Sequence, residues 1–153
     1  MSVAGNKRYV IVLVILLTGV LLHADAQLFK RKINRYKDGL RSGLWITYTD
    51  STNKKIENKG RFKLEKEKGT WKYYDDNGVL RKKDVYKKDK ILITYYYDNG
   101  RKENNGTALI VSDEKYLHFY WVGPWKYYDR NGKLKKIVTF EKGEQVGVKK
   151  FEN

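Results

Sequence analysis

From Ile33 onward, apolar and polar residues alternate with a period of two. The apolar positions are rich in Tyr, Trp, Val and Ile, and Asn-Gly interrupts them at intervals. A period of two puts successive side chains on opposite faces of a strand, and Asn-Gly tolerates the positive φ angles that tight hairpin turns require. No apolar stripe at i, i+3, i+4, i+7 runs long enough to predict a helix there. The start of the chain is patterned differently. Residues 9–22, YVIVLVILLTGVLL, are almost wholly apolar and carry no charge.

Inside the alternating region the chain repeats itself. Residues 69–78 (GTWKYYDDNG), 94–100 (TYYYDNG) and 123–132 (GPWKYYDRNG) match almost letter for letter, and residues 43–48 (GLWITY) keep the opening of the same unit. The linking halves repeat as well. Tyr36, Phe62, Tyr86, Tyr116 and Phe140 are followed nine residues later by Trp45, Trp71, Tyr95, Trp125 and Lys149. The third unit is irregular, because counting back from Gly100 puts Ile93 rather than Tyr95 in the Trp column; both have the same parity. Repetition at this period predicts units that must stack to share a core, since one hairpin is marginal in water. The expected fold is therefore all-β. It is an array of four to five stacked β-hairpin repeats in an antiparallel meander sheet, with tips at Asn77-Gly78, Asn99-Gly100 and Asn131-Gly132. The Trp column is the expected spine, with Trp121 outside it.

Residues 101–122 read as an insertion between the third and fourth units. Asn105-Gly106 is a further turn signal there, and residues 107–112 (TALIVS) form an apolar run suited to an extra strand. Leu117 to Val122 then gathers several aromatics.

Gly-x-Trp-x-x-Tyr, a turn ending in Asn-Gly, and a linking Tyr-x-x-Gly-x-x-x-Gly together resemble the MORN-type repeat. The likeness is greatest to the bacterial variant found in antitoxin-component-like proteins. Gly43, Trp45, Tyr48, Gly69, Trp71, Tyr74, Gly78, Gly123, Trp125, Tyr128 and Gly132 sit at the matching positions, and Tyr36, Gly39, Phe140, Gly143 and Gly147 carry the linking half. The resemblance covers about residues 33–151. It implies a scaffold or binding module, and function has to be argued from the site rather than from the fold.

The apolar N-terminal run changes the expected location. Lys7 and Arg8 precede it, and Ala24-Asp25-Ala26 closes it as a small-x-small site before Gln27, the three parts of a secretory signal peptide. Fourteen helical residues would reach about 21 Å, short of the roughly 30 Å hydrocarbon core. The domain plan is thus a signal peptide at 1–26 and a repeat domain at 27–153. The mature chain is expected to be exported (periplasmic, cell-surface or secreted) with no stable membrane span after cleavage.

Composition narrows the chemistry. With no Cys, the chain has no disulfide scaffold, thiol nucleophile, Cys-ligated zinc, iron–sulfur cluster or lipoprotein anchor. Its two His, His23 and His118, are too few for a His-based metal site. No cofactor, metal or catalytic residue is expected. Asp75, Asp76, Asp98 and Asp129 lie at turn tips, where carboxylates hydrogen-bond the backbone two residues on.

Lys and Arg number 33 against 18 Asp and Glu, a net charge of +15, and residues 1–26 hold only Lys7, Arg8 and Asp25 of these. Such a balance suits either a solvated outer face with charged edges or a face for an anionic partner. Export disfavours nucleic acid and favours a protein partner or an anionic component of the envelope. Tyr73, Tyr95 and Tyr127, with Lys72 and Lys126, occupy equivalent positions and are the candidate binding residues. The expected function is an exported, non-enzymatic interaction module. The rival is a glycan-active hydrolase with its site in the 101–122 insertion, where such cleavage would need two carboxylates converging in a cleft.

Overall fold

The structure, a computed structural model, describes residues 32–112 and 117–152, with backbone alone for Leu117. Residues 1–26, expected as a signal peptide, and the linker residue Tyr116 lie outside the described residues. The described chain forms ten strands: β1 (Arg35–Lys37), β2 (Leu40–Tyr48), β3 (Ile56–Lys63), β4 (Lys66–Tyr74), β5 (Leu80–Tyr86), β6 (Lys90–Tyr96), β7 (Lys102–Ser112), β8 (Leu117–Tyr128), β9 (Leu134–Glu141) and β10 (Glu144–Lys150). They make one open sheet in sequence order, each strand antiparallel to the next. This is the all-β meander that the repeat pattern predicts.

Local chemistry explains both ends of the strands. At the three Asn-Gly tips the chain turns through residues 75–79, 97–101 and 129–133, and Gly78, Gly100 and Gly132 hold φ of 77°, 77° and 89°. Asp75 accepts from the backbone N–H groups of Asn77 and Val79 at 3.0 Å, and Asp129 from those of Asn131 and Lys133 at 2.9 Å. Asp98 instead reaches across to Arg130 of the neighbouring tip, at 2.5 Å. The opposite end uses two-residue turns, Asp38-Gly39, Leu64-Glu65 and Lys142-Gly143, with positive φ at both positions. Leu64-Glu65 lacks the glycine such a turn favours. Its Glu65 carboxylate is held by the Arg41 backbone N–H at 2.7 Å and by the Arg41 guanidinium.

The core lies on one face. Phe62, Trp71, Ile91, Ile93, Ala108, Trp125 and Val138 are buried there, with Asp84 as the buried charged residue. Cross-strand register lines up Trp71, Asp84, Ile93 and Gly106 on β4 to β7, and then Trp125, Val138 and Val148 on β8 to β10. Ile93 therefore occupies the Trp column in the third unit and Tyr95 does not. In the last unit the position falls to Val148 rather than Lys149, because a bulge between Gln145 and Gly147 shifts the register.

Two glycines make the column possible. The Trp71 ring lies flat over Gly60, where a Cβ would sit 2.1 Å from it, and the Trp125 ring lies over Gly106, where a Cβ would sit 2.2 Å from it. In both units the indole N–H donates to the carbonyl of the residue after that glycine, Arg61 or Thr107, at 3.2 Å. Asn105-Gly106 is thus not a turn. It sits inside β7, and its glycine provides the flat floor that Trp125 needs.

The 101–122 segment builds β7 and the first half of β8 within the same sheet, and Thr107–Ser112 is strand as expected. Trp121 lies outside the Trp column, as expected, yet it packs against the core. Its ring stacks on Trp125 at 3.8 Å between centroids and meets Phe140 edge-on at 5.1 Å.

Candidate interaction face

One row nearer the tips, the core face carries a second line of residues. Tyr73 on β4 pairs with Lys82 on β5, Lys82 with Tyr95 on β6, Tyr95 with Asn104 on β7, Asn104 with Tyr127 on β8, and Tyr127 with Lys136 on β9. Each tip sets the same offset, so the partner of each tyrosine lies nine residues further on. The three rings are half-buried. Tyr73 stacks on Trp71 with centroids 6.5 Å apart, while Tyr95 and Tyr127 lean on the cluster of Ile91, Ile93, Ala108 and Trp125.

The cations in this row are held by the rings. The Lys82 ammonium lies 4.8 Å from the Tyr73 ring centre and 5.8 Å from that of Tyr95, and Lys136 lies 4.8 Å from Tyr127. Contacts of this kind contribute about 0.5–1 kcal/mol when exposed and more when desolvated. Lys82 also pairs with Asp84 at 2.9 Å. That pairing explains how Asp84 stays on the core face with only 3% of its surface exposed. The other Asp84 oxygen, Oδ1, is buried without a hydrogen-bond partner, and so is Asn104 Oδ1.

Burial raises the phenol pKa values along the row. Tyr73 is pushed well above the ordinary range by burial first, then by its neighbours Tyr86 and Asp84. Tyr86 is pushed up to about 12, by burial and then by the Glu67 charge. Tyr127 is raised by burial and by Tyr95. These phenols stay protonated at physiological pH, so the row offers apolar ring faces, hydroxyls and two ammonium groups. That is equipment for binding a surface.

The five candidate residues divide between the two faces. Tyr73, Tyr95 and Tyr127 fall into one row as expected. Lys72 and Lys126 point to the opposite face, because strand alternation turns each away from the tyrosine that follows it. There Lys72 pairs with Lys59 and Lys83, and Lys126 with Asn105 and Ile137. Lys82 and Lys136 take their places beside the tyrosines. The sequence signal for them was the tip itself, since counting residues across each Asn-Gly turn puts both lysines opposite a tyrosine.

The described part of the 101–122 segment contributes Glu103 as its carboxylate. A depression beside Asn105, Gly106 and Thr107 is lined by Lys83, Val85, Leu92, Ile93, Thr94 and Pro124, none of them an acid. His118 is exposed on β8, opposite Val111. No cluster of three or more His, Cys, Asp or Glu that could hold a metal ion occurs among the described residues. No helix among them is long and apolar enough to cross a membrane.

The MORN repeat variant family matches the chain at residues 67–88 and 121–142. No curated protein and no solved structure matches it. The first match spans β4, its tip and β5, and the second spans the later half of β8, its tip and β9. Both contain the bulged Gly-x-Trp with its ring laid over a glycine of the preceding strand. Two units of the chain thus match the MORN repeat variant, a repeat type that suggests a module for binding interactions.

Proposed function

We propose that the chain is an exported, non-enzymatic module that holds a protein partner at the cell envelope through the tyrosine row of its core face. The observation that carries this reading is the register: Tyr73, Lys82, Tyr95, Tyr127 and Lys136 fall in one line across β4 to β9. Half-buried tyrosines flanked by cations are the residue types on which protein interfaces anchor, because the ring supplies area and the hydroxyl a directed bond. Export is supported by the charged start, apolar run and Ala24-x-Ala26 site before Gln27. A non-enzymatic role is supported by the carboxylates. Asp75 and Asp129 are engaged by turn backbone, Asp98 by Arg130 and Asp84 by Lys82, so each has a structural task.

The test uses the full chain and its Tyr95→Ala/Tyr127→Ala variant to capture partners from the envelope fraction of the native host. The captured protein is then titrated with both forms at low and at high salt. A specific interface keeps its affinity at high salt and loses it when the rings are removed. Binding that vanishes with salt yet ignores both substitutions would overturn the reading. Turnover of a glycan substrate by the full chain, lost on changing Glu103, would favour the hydrolase instead.

A further inference from the structure

The face opposite the core carries an arrangement that the tyrosine row does not explain. On that face every registered pair between β3 and β4 sets cation against cation: Lys59 with Lys72, Arg61 with Lys68 and Lys63 with Lys66. The row continues onto β5, where Lys72 faces Lys83. Like charges directly opposite one another destabilise a sheet. None of Lys59, Arg61, Lys68, Lys72 and Lys83 forms an ion pair among the described residues.

Edge protection does not account for this. Lysines that block sheet-to-sheet pairing belong on edge strands, and the edges here are β1 and β10, whereas the cations lie on β3 to β5. The repeat does not account for it either. In the equivalent row of the later units Lys126 faces Asn105 and Ile137. At the tip end of the row a depression of about 450 Å³ adds Lys54 and Lys55 beside Lys59 and Tyr74, with Asp76 as the one acid among its lining residues. Glu57, two residues before Lys59 on β3, sits at the bulge between Ile56 and Asn58.

We infer that the β3–β5 face opposite the core is a docking surface for a linear acidic polysaccharide, with Lys59, Lys72 and Lys83 as its central line of contacts. The three sit on adjacent strands about 4.8 Å apart, so the line runs across the sheet as one polymer chain would lie. Lysine is a compact point charge that suits single carboxylate or sulfate groups, whereas bidentate phosphate recognition selects arginine. Bases need exposed rings to stack on, and Tyr74, the ring beside this line, is half-buried with the Lys59 ammonium 5.2 Å from its centre. A membrane surface would call for apolar side chains among the cations. The exposed large hydrophobic residues lie outside β3, β4 and β5, with Leu64 in the turn between the first two.

This inference does not rest on the tyrosine row, and the test separates the two. Fluorescein-labelled dextran sulfate and polygalacturonate are titrated against the full chain, its Lys72→Gln/Lys83→Gln variant, and a Lys135→Gln/Lys150→Gln variant that loses the same charge elsewhere. The expected result is binding to the wild-type chain that the first variant weakens by about tenfold and the second by less than about twofold. Tyr95→Ala/Tyr127→Ala should leave it unchanged. Because Lys72→Gln/Lys83→Gln removes like-charge pairs, its urea midpoint should equal or exceed that of the wild type. Equal weakening by the two lysine variants, or a lowered urea midpoint in the first, overturns the inference. So does stronger binding to single-stranded poly-dT or to phosphatidylglycerol vesicles than to either polysaccharide.

Discussion

Replacing Gly106 with alanine adds a single methyl group, and its effect can be worked from the structure. The new Cβ would stand 2.2 Å from Trp125 Cδ2 and 2.4 Å from both Cε2 and Cγ, so it cannot coexist with the ring as placed. Trp125 is fully buried, and its neighbour Trp121 stacks on it, so the ring has little room to yield. If strands β7 and β8 move apart to admit the methyl, overpacking of this kind costs about 1–3 kcal/mol. Expelling the ring instead returns about 150–250 Å² to water, at about 25 cal/mol per Å² some 4–6 kcal/mol. Either route weakens the bond from Trp125 Nε1 to the Thr107 carbonyl, now 3.2 Å, by about 1 kcal/mol. Against this, alanine loses less chain entropy on folding than glycine, a gain of about 0.5–1 kcal/mol. The less costly route sets the outcome, and the net expectation is a loss of about 1–3.5 kcal/mol. Urea unfolding followed by tryptophan fluorescence measures it. A double-mutant cycle with Trp125→Leu isolates the cause, because in that background the methyl has space and its cost should fall sharply. A midpoint within error of the wild type, or additive losses in the cycle, would refute the flat ring-over-glycine geometry as a source of stability.

Three further outcomes are expected. Trp71→Ala should lower stability by about 3–5 kcal/mol and by more than Trp121→Ala, since Trp71 is 5% exposed and Trp121 is half-buried; urea midpoints compare the two. Stability should decline as pH rises from about 10 towards 12. The unfolded chain then releases phenolic protons that Tyr73 and Tyr86 retain in the fold, and Tyr73→Phe/Tyr86→Phe should flatten that limb of a thermal-melt profile against pH. Mass spectrometry of the protein from its native host should find Gln27 as the first residue, and a retained Met1–Ala26 segment in the membrane fraction would instead make it an anchor.

Residues 33–152 show where reading a sequence succeeds and where it must stop. The three tips were legible because turn chemistry is local: Asp75 or Asp129, the backbone N–H groups it binds and the following glycine lie within five residues. The buried parity was legible too, since strand alternation needs no knowledge of the neighbouring strand. Asn105-Gly106 shows the limit. It has the same two residues as a tip, yet it lies within a strand, because a ring nineteen residues later requires a bare backbone beneath it. Ile93 displaced Tyr95 from the Trp column for a similar reason. Bulges shift pairing by one residue at the tips and by two at the Gly-x-Trp openings of β4 and β8, and repeat spacing alone does not record such shifts. The candidate site divided along the same line. The tyrosine row followed from unit equivalence, but its cations, Lys82 and Lys136, come from the returning strands. Lys72 and Lys126 turned instead to the other face. A sheet side chain's neighbours are chosen by register between strands, and register is a property of the assembled sheet.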